Sequence, residues 1–366
     1  MSTMDLVSDG DFLPVKYNYI KLKNKMKLFI LYTPRIGHLA INTEIFLRRL
    51  NAGLLSGALV RLTDHDSGHF VANYQLYEMI KRKHPVFEMT QDTYRKLLNE
   101  GHEDAGVLYC GSNEFLEMNT MPPQLEFLPE EHANGKKLLE ELGIYDKPYV
   151  CMHNRTSDYL SEKFSTSNFR YHDYRDCSIK NYMMAAEWLT TQGIFVVRIG
   201  QVAPDPMITD NPMIIDYTNS RRSDFGDIYL PAHCKFFLGN TAGIFLVSTI
   251  FGVNAACANF VPFDMTNLLA GDLFIYKNNG MSFEHQLELD IQAFENNDIP
   301  VTENSPEQIL CLTMEMTYRA AGIYNEKPHV AALRSKFRSL WTPKMRCYGT
   351  AAEIGDQFIL EKQSQL

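Results

Sequence analysis

Residues 149 to 158, YVCMHNRTSD, pass from an apolar run directly into His153, Asn154, Arg155, Thr156, Ser157 and Asp158. A buried strand that ends on an imidazole, a guanidinium, an amide, two hydroxyls and a carboxylate has the form of a strand feeding a ligand site. In open parallel sheets, ligands collect outside the carboxyl ends of the strands. Three further apolar runs end in the same way: IFVV on Arg198, Gly200 and Gln201, MII on Asp216, and KFFL on Gly239, Asn240 and Thr241. If the four strands are parallel, these groups converge on one rim.

Such a rim suits a nucleoside diphosphate. Arginine presents a rigid fork of donors to phosphate, and Arg155 is the leading ligand, with Arg198 beside it. Thr241, with the backbone of Ala242 and Gly243, stands where a strand passes into a helix, a junction whose N–H groups and dipole favour an anion. Asp216 would accept from ribose or sugar hydroxyls. His153 is a candidate for a direct chemical role in catalysis. Each residue also has a plainer role: His153 as a hydrogen-bonded structural histidine, Arg155 with Asp158 as an ion pair, Asn240 and Thr241 as helix caps. Recurrence at four strand ends favours the rim.

A proton acceptor is sought in the first half of the chain. His38 of RIGH and the Asp64, His65, Asp66 triplet of RLTDHDSGH both follow apolar runs. Asp64 or Asp66 is the preferred base, with capping of their own loop as the alternative.

The elements that must hold these groups alternate. MKLFILYTP reads as a strand, RIGH as a turn and LAINTEIFLRRLNAG as a helix; GALVRLT and AGVLYCG are further strands, with the helix QDTYRKLLNEG between them. A second alternating run follows EEHANGKKLLEELGIYDKP, whose Gly143 and Pro148 punctuate a helix exit. It comprises YVCMHNR, the helix SIKNYMMAAEWLTTQG, IFVVRIG, MIIDY, the helix DFGDIYLPAHC, KFFLGN, the helix TAGIFLVSTIFG and NAACANF. Alternation of this kind predicts parallel α/β units. The expected division is residues 1–145, 146–320 and a helical extension, 321–366. Ser305, Pro306 and Gln308 form a cap, first-turn proline and capping box that open a helix.

Composition excludes several functions. The 366 residues carry 35 Lys plus Arg against 44 Asp plus Glu, a formal charge of -9, so an electrostatic nucleic-acid surface has no support. Any anion must be held by a local cluster. Seven scattered cysteines without a C-x-x-C pair predict a reduced, cytoplasmic protein, and the acidic start, with Asp5, Asp9 and Asp11, does not read as a secretory signal. The uncharged stretch between Lys235 and Asp264 is long enough to cross a bilayer, but its Gly and Asn interruptions divide it into strand, helix and strand. Lys16, Lys21, Lys23, Lys25 and Lys27, interleaved with Tyr17, Tyr19, Ile20, Leu22 and Met26, read either as a lysine-guarded edge or as a peripheral contact with anionic lipid.

HNRTSD resembles the H-x-R-x-x-D motif of fucosyltransferase-like glycosyltransferases, and FFLGNTAGIFLVSTIFGVNAACAN is similar to the donor-site strand, turn and helix of bacterial glycosyltransferases of the GT-B architecture. Together with IIDYTNSRRSDFGDIYL and NFVP, these motifs most resemble bacterial glycosyltransferases of surface-carbohydrate synthesis, over roughly residues 145 to 320. The resemblance implies two Rossmann-like domains facing across a cleft, a nucleotide-sugar donor bound mainly by the second, and a glycan, lipid-linked or protein acceptor approaching from the first. It implies metal-independent transfer with no cofactor beyond the donor. HNRTSD lacks the second consecutive Arg common in the fucosyltransferase motif, so GDP-fucose is not implied. The competing D-x-D reading of Asp64 and Asp66 is similar to the metal-binding element of GT-A enzymes. A nucleotide-sugar epimerase or hydrolase, and a non-catalytic carbohydrate-binding partner, are the alternatives in other classes.

Overall fold

Strands that are apolar on both faces need cover on both faces, and the chain provides it with two separate parallel sheets. The computed structural model describes residues 25–109, 113–158, 170–201, 205–296 and 299–366. The first sheet contains β1 (Lys27–Ile30), β2 (Ala58–Leu62), β3 (Val86–Met89) and β4 (Glu103–Val107), in the order β3-β2-β1-β4. The second contains β5 (Tyr149–Met152), β6 (Phe195–Arg198), β7 (Ile214–Asp216), β8 (Phe237–Gly239), β9 (Ala255–Phe260), β10 (Leu273–Tyr276) and β11 (Glu353–Ile354), in the order β11-β10-β9-β8-β5-β6-β7. Every pairing is parallel.

Register decides which side chains share the rim of the second sheet. Met152 pairs with both Arg198 and Leu238, and Arg198 pairs with Asp216, so the four strands expected to end together do so as neighbours. The uncharged stretch after Lys235 forms β8, the helix Phe245–Ile250 and β9, and β9 is buried along its whole length. Among the described residues, no helix is long and apolar enough to cross a membrane.

Some elements depart from the expectation. β4 begins at Glu103, ahead of the apolar AGVLYCG, because it is an edge strand whose polar residues remain in solvent. β3, the helix Tyr74–Lys83 and β10 are additional, and β11 brings the 321–366 stretch into the second sheet as its edge. The helix Pro306–Ala320 opens with the Ser305 and Gln308 capping box. All six cysteines among the described residues are free; Cys110 lies outside them. Of the lysine-rich segment, residues 16 to 23 lie outside the described residues, while Lys27 pairs with Glu103 at 3.1 Å.

The two units meet through helices and turns. A Cβ on Gly37 would lie 2.8 Å from the Gly243 Cα, so the turn after β1 and the turn after β8 touch backbone to backbone. Buried Arg48 bonds Glu44 at 2.7 Å and reaches the Ile250 carbonyl of the other unit at 3.3 Å. Asn73 donates to the Asp224 carbonyl at 2.9 Å, and the Tyr74 N–H donates to the Asp224 carboxylate at 2.8 Å.

Candidate functional site

A cavity of about 480 Å³ opens where the two glycine turns meet, lined by residues of both units. Five arginines contribute to its wall: Arg35 from the first unit, and Arg155, Arg175, Arg222 and Arg346 from the second. Three of them are ion-paired, Arg155 with Asp176, Arg222 with Asp224 and Asp227, and Arg346 with Asp264, so carboxylates accompany guanidinium groups around the wall in a chain of net charge -9. Low-dielectric walls strengthen what positive field remains.

Arg155 owes its position to neighbouring strands. Its backbone N–H donates to the Asn240 Oδ1 at 3.0 Å, and the Asn240 Nδ2 donates to the Arg175 carbonyl at 2.7 Å, so one buried amide fixes the backbone of two cavity arginines. Asn154, held by the Arg198 Nη2 at 2.9 Å, donates to the Cys177 carbonyl at 3.0 Å. The Arg155 Nη1 pairs with Asp176. Its Nη2 is buried and has no hydrogen-bond partner among the described residues. Burial, and then the Arg175 charge, lower Arg155 to about 10, so it remains cationic at neutral pH. An orphaned charged donor is expensive to bury, and an anionic ligand would relieve it.

Two histidines reach the cavity. The ring of His153 bonds the Ile199 carbonyl through Nδ1 at 2.8 Å, which leaves Nε2 as the unprotonated nitrogen of the neutral ring. Gly200 permits this contact, because a Cβ there would lie 3.1 Å from Nδ1. Burial pushes His153 down to about 4; the Ile199 bond opposes this, and Arg198 and Arg155 add to it. His38, on the rim in the first turn of the helix Ile36–Asn51, is lowered to about 4 by desolvation against the cavity walls and by the charges of Arg35 and Arg175. Both rings are neutral at pH 7.

The structure brings His38, His153, Arg155, Gly200, Gln201, Thr241, Ala242 and Gly243 together around the cavity. It puts the other expected residues elsewhere. Asp64 is exposed and accepts, at 2.8 Å, the N–H of Gln91, the first residue of the helix Gln91–Asn99 after β3, and exposed Asp66 also lies away from the cavity. Asp158 is exposed, and Arg155 pairs with Asp176 instead. Arg198 is turned into the core, where it holds Asn154 and, at 3.3 Å, Asp216; Asp216 also accepts from Asn219 at 2.9 Å. Asn240 supports the arginine backbones from behind. The Thr241 hydroxyl donates to the Val261 carbonyl at 3.0 Å, and the helix after it starts only at Phe245, so backbone rather than hydroxyl faces any ligand there.

Arg35, Arg175, Arg222, Arg346 and Asp227 were not legible as site residues. Arg222 and Asp227 flank the Ser223 cap of the helix Asp224–His233, and a serine cap at the end of a strand-to-helix loop was the available signal. Arg346 carries no local signal, since the chain returns to the cavity from a distant segment. Among the described residues, no three His, Cys, Asp or Glu side chains converge as a metal site.

Fold and site together define a two-unit parallel α/β protein with an arginine-lined cleft. No protein-family model matches the chain, and no curated protein matches it. Similar solved structures include a dodecameric iron-containing heptosyltransferase, TibC, in complex with ADP-D-beta-D-heptose, at 12% identity over 82% of this chain and 78% of that one, with a TM-score of 0.43. Another is the iron-containing dodecameric glycosyltransferase TibC from enterotoxigenic E. coli H10407, at 13% identity over 83% and 76%, with a TM-score of 0.39. Likeness at this level assigns no activity, and the α/β architecture stands on the strand order itself.

Proposed function

We propose that the protein is a glycosyltransferase that takes a sugar from a nucleotide-sugar donor and passes it to a glycan, lipid-linked or protein acceptor of bacterial surface-carbohydrate synthesis. The observation that carries this reading is the set of five arginines around one cleft, with the buried Arg155 Nη2 left without a partner. Arg155 and Arg175 hold the diphosphate and stabilise the charge that develops on it as the leaving group departs. His38, presented by the first unit, takes the proton of the acceptor hydroxyl; the oxygen bonds the anomeric carbon, and the carbon–oxygen bond to the diphosphate breaks with its electron pair going to phosphate. A diphosphate bound beside Arg35 and Arg175 offsets their charges and raises the His38 imidazole, making it a better base. Asp64 and Asp66, outside the cavity, have no part in this scheme. Transfer runs without an added divalent ion, because guanidinium groups supply the positive charge.

The test is turnover of ADP-, GDP- and UDP-linked sugars with and without glycan and lipid-linked acceptors, in the presence of EDTA. Acceptor-dependent release of nucleoside diphosphate is expected. Conversion that ignores the acceptor would indicate a hydrolase or epimerase, binding without turnover a carbohydrate-binding module, and loss in EDTA a metal-dependent enzyme.

A further inference from the structure

One cavity group has the wrong sign for a phosphate site. Asp227, in the first turn of the helix Asp224–His233, is 3% exposed and lines the cavity among the arginines. Its Oδ2 accepts from the Arg222 Nη2 at 2.7 Å, while its Oδ1 is buried and has no hydrogen-bond partner among the described residues. Arg222 is shared with the Asp224 Oδ1 at 3.2 Å, and its own Nε is likewise buried without a partner. Burial raises the Asp227 carboxyl to about 7, with Arg222 pulling it down and Asp224 pushing it up.

The turn carrying Asp227 is fixed at the seam between the units. Its neighbour Asp224 accepts from the Asn73 Nδ2 at 2.9 Å and from the Tyr74 N–H at 2.8 Å, both on the first unit. An ionised carboxylate here repels a phosphate, and the guanidinium groups around it disfavour a cation. What remains is a neutral donor. The hydroxyl-rich part of a nucleotide sugar is the sugar, and the seam is where an acceptor from the first unit must meet it.

We propose that Asp227, oriented by Arg222, is the specificity-determining carboxylate of the site, its Oδ1 accepting a hydroxyl of the sugar to be transferred. The inference rests on the nucleotide-sugar reading above. A site built to bond a hydroxyl discriminates strongly against an analogue that lacks it, because the buried acceptor is then left unpaired.

Calorimetry with ADP, GDP and UDP, and with their sugar-linked forms, separates the two ideas. For the nucleotide that binds, Asp227→Asn should weaken the sugar-linked form by about 10–100-fold while leaving the bare nucleoside diphosphate within about 3-fold, the range of one hydrogen bond to a charged group. On the unmodified protein, which removes any question of folding, donor analogues deoxygenated at single positions should lose affinity at one hydroxyl and tolerate the others. Equal losses for both ligands would overturn the proposal, making Asp227 a support of the phosphate site. Unchanged affinity for the sugar-linked form would overturn it as well. Failure of the wild-type protein to bind any nucleoside diphosphate would instead remove the nucleotide-sugar reading itself.

Discussion

Arg155 is held on one side, and on the other carries a buried nitrogen with no partner among the described residues. Asp176 and the backbone clamp from Asn240 fix it, and the unpartnered Nη2 leaves a donor for a ligand. His153, two residues before it, is held by the Ile199 carbonyl. Because burial lowers its imidazole to about 4, against about 6.5 in an unfolded chain, the unfolded state takes up the proton first as pH falls. The native protein therefore loses stability at this residue between about pH 6.5 and 4. Chemical denaturation of wild type and His153→Gln should show the gap between them shifting against wild type across that window; a constant gap would mean that the ring titrates alike in both states. His153 and Arg155 were legible because they follow an apolar strand directly. Asp158, Asp216 and Arg198 follow the same rule in sequence, but bonds that no spacing reveals turn Arg198 inward onto Asn154 and Asp216, and Asp158 lies exposed to solvent.

Two strand-to-helix turns bring the site together. The turns after β1 and β8 are each glycine-marked in the sequence, yet their mutual contact joins positions far apart in the chain, so nothing local announces it. A methyl at Gly37 would press on the Gly243 backbone at 2.8 Å, an atom that cannot swing away. Gly37→Ala should therefore destabilise the protein by about 1–3 kcal/mol, the usual penalty of overpacking, and weaken ligand binding in parallel because both turns line the cavity. Denaturant midpoints and calorimetry on the same samples would check this, and an unperturbed variant would mean that the units sit further apart. Strands β5 to β9 were readable as apolar runs bounded by glycine, asparagine or proline. β10 is not legible because a four-residue apolar run looks the same in a helix, nor β3 because edge strands keep polar residues, which also displace the start of β4 to Glu103, ahead of AGVLYCG.

At the scale of the molecule, an acidic protein encloses an arginine-lined cleft between two parallel sheets. The alternation of strands and helices made the two units legible, and the uncharged stretch after Lys235 resolved correctly into strand, helix and strand. The closure of the cleft was not legible. It depends on buried contacts such as Arg48 to the Ile250 carbonyl, and on Arg346 returning from the carboxyl-terminal segment to the wall. The central claim is that this cleft binds a nucleoside diphosphate through Arg155. Titration calorimetry of ADP, GDP and UDP against wild type and Arg155→Ala tests it most directly. At least one nucleotide should bind the wild type, with affinity falling as salt rises, and Arg155→Ala should lose about 1.5–3 kcal/mol of that affinity while unfolding as a single cooperative species. No binding by any of the three, or equal binding by both proteins, would contradict the claim.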